Sequence, residues 1–435
     1  MLCRTRSSLA CLVILLGSAA PALCATDADI DASFNPYATV MPVYPGLTPG
    51  LVLTKDNVDT FKDVVEPGLA LFIRNGWYEP RVGITTSFDV DKRYIEATKH
   101  NASHVKLGNA PGELMGYAGG RPFPEEPVAS DPRAGEKMAW NFRYQYGDGG
   151  AITPIQWKYR NLNTGDVERL LRVDVYVLKF KYRLSTPPLP EIAPNPSNLY
   201  AGTYLKVHSP AELRNTQLLI QRHDDDSLAD DGYMYFGFQR RVRRLAPGQT
   251  TDAFLGSDVM IEDFDGYNAR VSDMRWKFIA TRTLLMPMFQ HDELKLSDEF
   301  KDSDGFQYVN FGGKGGCFPD ITWQLRKVHV VEAEPIAAGH PVSKRVFYFD
   351  AQTATIPLSL IYDRKGELWK VGVLGKSHPD HHHPQNKGAG LPLADAGAMV
   401  DVQARHCSTG QFKALALPQL SAPGMFQTQF LRGGD

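Results

Sequence analysis

Hydrophobic and polar positions alternate with a period of two over much of this chain, which is the pattern of half-buried strands. The clearest run is Trp140-Asn141-Phe142-Arg143-Tyr144-Gln145-Tyr146, where every even position is aromatic and every odd position polar; it predicts a strand. Residues 171–177 alternate too, and the apolar face switches around 178–180, as a bulge would cause. Residues 233–238 are apolar on both faces, which predicts a strand covered on both sides. Residues 323–326 and 328–331 read as one strand with a bulge. Residues 346–349, 356–362 and 368–374 read as a meander, its last two strands joined by a turn at Asp363-Arg364-Lys365-Gly366.

Helical signals are fewer. Thr54 reads as an N-cap with acids behind it and Phe61, Val64 and Val65 on the buried side. Pro67-Gly68 interrupts that helix, and a second short helix follows over 69–74. Ser257 caps a helix over 258–264. Residues 26–53 are polar, then punctuated by Pro and Gly, and read as an extended N-terminal arm. No repeat of fixed period is present. The expected fold is therefore mainly β (α+β): a large curved antiparallel sheet, a half-barrel, with a few helices over its concave face. A sheet that long must curl or close. Few helices cover only part of it, which leaves a concave apolar surface for an apolar ligand.

The N-terminus adds a destination. Arg4 and Arg6 precede an apolar run over 9–20, and small residues with Pro21 follow, which is the three-part pattern of a cleavable signal peptide over 1–25. The apolar run is about 12 residues, short of the roughly 20 that a bilayer span needs. Later apolar runs are short and broken, so no transmembrane segment is expected in the mature chain. The 435 residues are 43% hydrophobic, enough for a large core, and the net charge of −2 gives no basic excess to suggest nucleic acid. Of five cysteines, only Cys317 and Cys407 lie beyond the signal. In an oxidising compartment they are a natural disulfide pair; two separate free thiols are the alternative.

Several motifs invite chemistry. The aromatic row Trp140, Phe142, Tyr144, together with Tyr235 and Trp276, either lines a ligand cavity or forms ordinary core, since aromatics contribute large burial in both settings. The run His378-Pro379-Asp380-His381-His382-His383-Pro384 contains metal-ligand types, but adjacent histidines rarely converge on one ion, and the run reads as a solvated loop. A metal-dependent enzyme using His378 and Asp380 is the weaker reading. Gly312-Gly313-Lys314-Gly315-Gly316 lacks the spacing and the Ser/Thr of a phosphate loop and reads as a flexible loop. No Gly-x-Ser-x-Gly elbow occurs, so no hydrolase nucleophile is indicated and no cofactor motif is found. Arg240 to Arg244 is a basic cluster on an expected exposed strand, suited to pairing with Glu262, Asp263 and Asp265. Asn101-Ala102-Ser103 fits the N-glycosylation pattern.

In order along the chain, Gly119-Gly120-Arg121-Pro122-Phe123-Pro124, the 140–144 run, Gln239 to Pro247, Gly256 to Asn268, Arg345 to Asp350 and Tyr362 to Trp369 together resemble a bacterial family, domain of unknown function 1329. The likeness runs over roughly residues 50–375 and leaves the His-rich segment outside. It implies a Gram-negative periplasmic protein related to the LolA/LolB lipoprotein-sorting fold, whose members bind acyl chains. It also implies partners of the resistance-nodulation-division permease class or an outer-membrane component. It supplies no catalytic residues. The expected organisation is a signal peptide (1–25), an arm (26–53), a LolA-like domain (54–375) and a C-terminal extension (376–435). The expected function is non-enzymatic: a periplasmic binding protein or carrier for a lipid, fatty acid or sterol-like molecule. The alternative is a structural adaptor in an envelope transport complex.

Overall fold

A computed structural model describes residues 25–246 and 249–432. The signal-peptide expectation falls almost wholly outside the described residues. One large sheet dominates, built from two meanders. The first comprises β1 (Gly149–Asn161), β2 (Val167–Lys179), β3 (Leu199–Ser209), β4 (Gln217–His223), β5 (Asp231–Phe236) and β6 (Arg241–Arg244). The second comprises β7 (Met274–Met286), β8 (Thr322–Pro335), β9 (Val342–Asp350), β10 (Leu358–Asp363), β11 (Leu368–Ser377), β12 (Leu393–Asp401) and β13 (His406–Leu415). Within each meander, strands adjacent in sequence pair antiparallel, and β13 pairs with β1 to fuse the two. The sheet is not closed: β6 and β7 remain as edges. Short parallel strands, Arg81–Val82 and Met288–Phe289, join β8 and β11.

This topology moves the expected boundary at 375. β12 and β13 sit in the middle of the sheet, so most of 376–435 belongs to the fold itself. Both faces of the sheet are covered. On the convex side, α2 (Pro67–Arg74) and the chain around it pack on the second meander with Leu360, Val371 and Val400. The approach is close: a Cβ at Gly68 would lie 2.6 Å from Leu360 Cδ2. Phe426 and Leu431 of the C-terminal segment cover the first meander with Tyr204, Leu219 and Tyr235. The concave side carries α4 (Ala134–Arg143) and an irregular segment over 254–271.

Local chemistry explains where the elements depart from the expected ones. The arm is not wholly extended: Thr26 and Asp29 form a capping box that starts α1 (Asp27–Phe34), whose Ile30 and Phe34 pack on Tyr94 of α3 (Lys92–Asn101). Thr54 leads only into a 3₁₀ turn, Val58–Phe61. Pro67 does not interrupt a helix; it begins α2 at the first position, where a missing N–H costs nothing, and the Glu66 carboxylate accepts the Gly68 and Leu69 N–H groups. In place of the helix expected over 258–264 there is a 3₁₀ segment, Ile261–Gly266, broken at Phe264 and at Asp265, which takes φ 51°.

The 140–146 run is not a strand. Its first four residues, 140–143, end α4 and the rest follow the helix, of which every residue except Lys137 is buried. A helix buried all round has no polar face to reveal its period of 3.6. Its polar residues are satisfied instead: Asn141 exchanges hydrogen bonds with the Phe123 backbone (2.9 and 2.7 Å), and Arg143 pairs with Asp226 at 2.7 Å.

The expected bulge at 178–180 is absent. The β1–β2 register shifts instead between Ile152 and Ile155 and at Tyr159. The irregularity opposite β8 belongs to β7, at Ile279. Residues 233–238 are only partly covered, because the short edge strand β6 follows, and Phe238 is 70% exposed. Cys317 and Cys407 are joined in a buried disulfide, 90 residues apart, which fastens the 312–319 loop to β13. In the chain-entropy picture a loop of that length contributes about 4–5 kcal/mol.

Candidate functional site: a hollow in the curved sheet

Inward-facing positions on the concave side follow the register. One row across the strands reads Leu374, Gly397, Gly410, Trp157, Leu171. The next reads Ser359, Gly372, Met399, Ser408, Tyr159. Three glycines and two serines thus occupy the middle of the floor, where side chains would otherwise fill the curve. A cavity of about 470 Å³ lies on this part of the concave face, within the roughly 300–1,000 Å³ typical of small-molecule sites. The Phe412 ring lies over the two paired glycines; a Cβ at Gly397 would stand 3.0 Å from it and one at Gly410 only 2.3 Å. Only residues without Cβ permit that ring position.

The first meander supplies the opposite wall. On β2, Val173, Val175, Val177 and Lys179 share the inward face, opposite Val207, Leu205, Thr203 and Ala201 of β3. Val173 is fully buried, but Val177 is 42% exposed into the open curve. The 254–271 segment crosses the concave face and contributes Val259, Phe264 and Tyr267. Buried ionic ties fix it. Arg345 of β9 holds Glu262 and Asp263. Burial would raise the Glu262 carboxyl, but the Arg345 guanidinium and His340 outweigh it and keep it below its usual value. Asp258 accepts from the Ser408 hydroxyl at 2.7 Å and pairs with His406 at 2.7 Å, and its carbonyl accepts from the Lys370 ammonium at 2.6 Å.

Of the residues expected to form the wall, Phe142 lines the hollow. Trp140, Tyr144 and Trp276 do not. They belong to a filled core under α4, where Trp140 stacks on Tyr144 (5.6 Å, 10°) and Trp276 on Phe347 (5.7 Å, 30°). Tyr235 faces the convex side and packs near Phe426 and Leu431. The floor glycines, Phe412, Val175, Val177 and Lys179 were not anticipated. A signal existed in β13: Ser408, Gly410, Phe412 and Ala414 alternate with Thr409, Gln411 and Lys413. Its outward polar face is buried rather than solvated. Gln411 donates to the Val309 carbonyl (2.7 Å) and Lys413 pairs with Asp304 (2.6 Å), so polarity there does not mark the water side.

The histidine run is no solvated loop. His378 stacks on Phe88, His381 pairs with Asp292 (2.9 Å) and His383 with Asp304 (3.2 Å). His378 and Asp380 make a local turn, the Asp380 N–H donating to His378 Nδ1. A different trio has metal-ligand types converging: His291, His382 and Asp395, buried, with ligand atoms within 4.8 Å of one another. Asn386 decides its character. Its Oδ1 accepts the Ala416 N–H (2.9 Å) and its Nδ2 donates to the Ala414 carbonyl (2.9 Å), so Nδ2 also donates to His382 Nδ1 (3.0 Å). The His382 proton therefore sits on Nε2 and goes to Asp395 (3.2 Å), while His291 Nδ1 donates to the other carboxylate oxygen (2.7 Å). The trio is thus tied together as a two-donor clamp on one carboxylate.

Two further motifs take other places in the fold. The 312–316 loop is packed rather than flexible: Gly313, Gly315 and Gly316 have φ of 64–67°, and a Cβ at Gly315 would stand 2.6 Å from the Leu162 carbonyl. The arginine cluster lies on the exposed edge strand, as expected, but its expected partners are taken. Glu262 and Asp263 serve Arg345, and Asp265 pairs with Lys376 (2.9 Å), while Arg244 pairs with Asp231. Among the described residues no helix is long and apolar enough to cross a membrane.

Comparison with known proteins sets this architecture among relatives. An uncharacterized protein of Pseudomonas aeruginosa is 27% identical over 364 residues, spanning 80% of this chain and 72% of its own length. Among solved structures, a domain described as an outer membrane lipoprotein-sorting protein from Vibrio parahaemolyticus is 15% identical. It covers 69% of this chain and 100% of its own, with a TM-score of 0.48. A protein from Desulfovibrio piger assigned to the DUF1329 family is 12% identical, covering 69% of this chain and 98% of its own, with a TM-score of 0.47. Residues 52–432, the His-rich segment included, match the family described as protein of unknown function (DUF1329), and the chain belongs to that family.

Proposed function

We propose that this is a non-catalytic periplasmic binding protein or carrier that holds a hydrophobic ligand, such as a lipid, fatty acid or sterol-like molecule, in the hollow of its curved sheet. The observation that carries this reading is the hollow itself: a cavity of about 470 Å³ on the concave side, with Phe412 lying flat on Gly397 and Gly410 in its floor and Val177 left open to it. Each methylene moved from water into such a site contributes about 0.8 kcal/mol. The signal-peptide pattern at the N-terminus and the Cys317–Cys407 disulfide support an oxidising compartment outside the cytoplasm. A soluble carrier of this kind would serve an envelope export system, in which a permease or outer-membrane component takes over the ligand. Native mass spectrometry of protein purified from the envelope tests the reading. Co-purifying apolar molecules are expected; an empty protein that also fails to bind a fluorescent fatty acid contradicts it.

A second reading, an adaptor in an envelope complex, rests on the β6 edge. Arg241 and Arg243 are exposed there beside the exposed Phe238, on a strand with a free side. Crosslinking in intact envelopes separates the two: a stable protein partner held through β6 by an empty protein favours the adaptor.

A further inference from the structure

The hollow contains four cationic side chains: Arg143, Lys179, Arg222 and Lys376. Three are neutralised by carboxylates. Arg143 pairs with Asp226 at 2.7 Å, Arg222 with Asp230 at 2.9 Å and Lys376 with Asp265 at 2.9 Å. Lys179 has no ion-pair partner among the described residues; its ammonium donates to the Gln145 carbonyl at 2.6 Å, which uses one of its three donors. The nearby carboxylate, Asp148, is already occupied by the N–H groups of Leu184, Ser185 and Thr186 and by the Ser185 hydroxyl. Burial pushes the Lys179 ammonium down to about 8; Asp148 opposes the shift and Arg183 adds to it. A cation so placed is stabilised by any anion that enters.

Position matters as much as charge. Lys179 ends the inward row of β2, after Val175 and Val177, and stands opposite Ala201. An apolar body against the two valines would therefore have its end beside the ammonium. We propose that the ligand of the hollow is an amphiphile with a single carboxylate, its apolar part along Val175 and Val177 and its carboxylate on Lys179. One lysine with two spare donors matches one negative charge; a phosphate monoester carries close to two and would need further donors. The proposal rests on the hollow being a ligand site.

The test uses the full mature chain and an uncharged fluorescent apolar probe, displaced in parallel by hexadecanoic acid, its methyl ester, hexadecanol and hexadecyl phosphate. The acid is expected to bind at least about tenfold tighter than the ester and the alcohol, the increment of a charge-assisted hydrogen bond. Lys179→Met should erase that preference, weakening the acid at least about tenfold relative to the alcohol, and Lys179→Arg should retain it. Thermal melting of each variant checks that the fold survives. Equal affinity for acid and alcohol, an acid preference that persists in Lys179→Met, or tighter binding of the phosphate would overturn the carboxylate assignment while the hollow remains a ligand site. Failure of every compound, the probe included, would overturn both.

Discussion

The concave face is built in two opposite ways. Under α4 it is filled with large rings: Trp140, Tyr144, Trp276, Phe347 and Phe349 pack between helix and sheet. Over β11–β13 it is floored by Gly372, Gly397 and Gly410, and the curve stays open. The same sheet, with the same curvature problem, solves it by side-chain volume at one end and leaves it unsolved at the other. The difference is one of packing: rings fill the space under α4, whereas at the other end Phe412 lies flat on Gly397 and Gly410 and a hollow remains. A ring contributes burial wherever it sits, but a glycine in a strand interior costs stability and calls for a reason.

Substitutions at the two ends should have opposite consequences. The largest effect is expected from Trp140→Ala, which should cost about 3–5 kcal/mol in denaturant unfolding because the surrounding rings cannot collapse into the void. Apolar-probe affinity measured below the transition should be unchanged, since Trp140 does not line the hollow. A large loss of affinity with little loss of stability would reverse the roles of the two ends.

Next comes acid. Burial would raise the Asp395 carboxyl, but His382 and His291 hold it at about 2, below the ordinary 3.8. A folded-state value below the unfolded one contributes stability above about pH 4, on the order of 2 kcal/mol, which is lost as pH falls from about 4 toward 2. Asp395 sits at the register shift between β11 and β12, so its release should loosen the hollow end first. Hydrogen exchange should show β11 and β12 opening before α4, and Asp395→Asn should flatten the acid limb of the stability curve.

A smaller effect is expected from Phe412→Ala. The ring is half-buried, so the cost should be about 1–2 kcal/mol, below the 3–5 of a fully buried Phe. Removing it from above Gly397 and Gly410 deepens the hollow, and affinity for a bulkier polycyclic ligand should rise in the same displacement assay.

Much of the fold was legible because strands reveal themselves through alternation. The 346–374 meander and its Asp363–Gly366 turn stand where the pattern places them, the Asp363 carbonyl accepting the Gly366 N–H at 2.9 Å. The pattern failed where burial is complete on all sides. In α4, buried polar residues with their own partners imitated the solvent face of a strand. In β13, polar residues buried against the 302–309 excursion concealed a central strand, so the C-terminal part read as an extension. The His-rich run failed likewise, because its carboxylate partners Asp292, Asp304 and Asp395 are distant in sequence or flank it without a recognisable spacing. Of the site, only Phe142 was identified. Glycines and valines carry no chemical label, and their meaning depends on a register that pairing alone reveals.

The claim that the open end of the curve is a ligand site is tested most directly by equilibrium titration of a fluorescent fatty acid against wild type and Val177→Trp side by side. Val177 is 42% exposed, so the substitution should change stability by no more than about 0.5 kcal/mol. Its indole would occupy the space between the walls. The account predicts saturable binding by wild type and a loss of at least about tenfold in Val177→Trp at unchanged melting temperature. Equal binding by both proteins, or none by wild type, would contradict it.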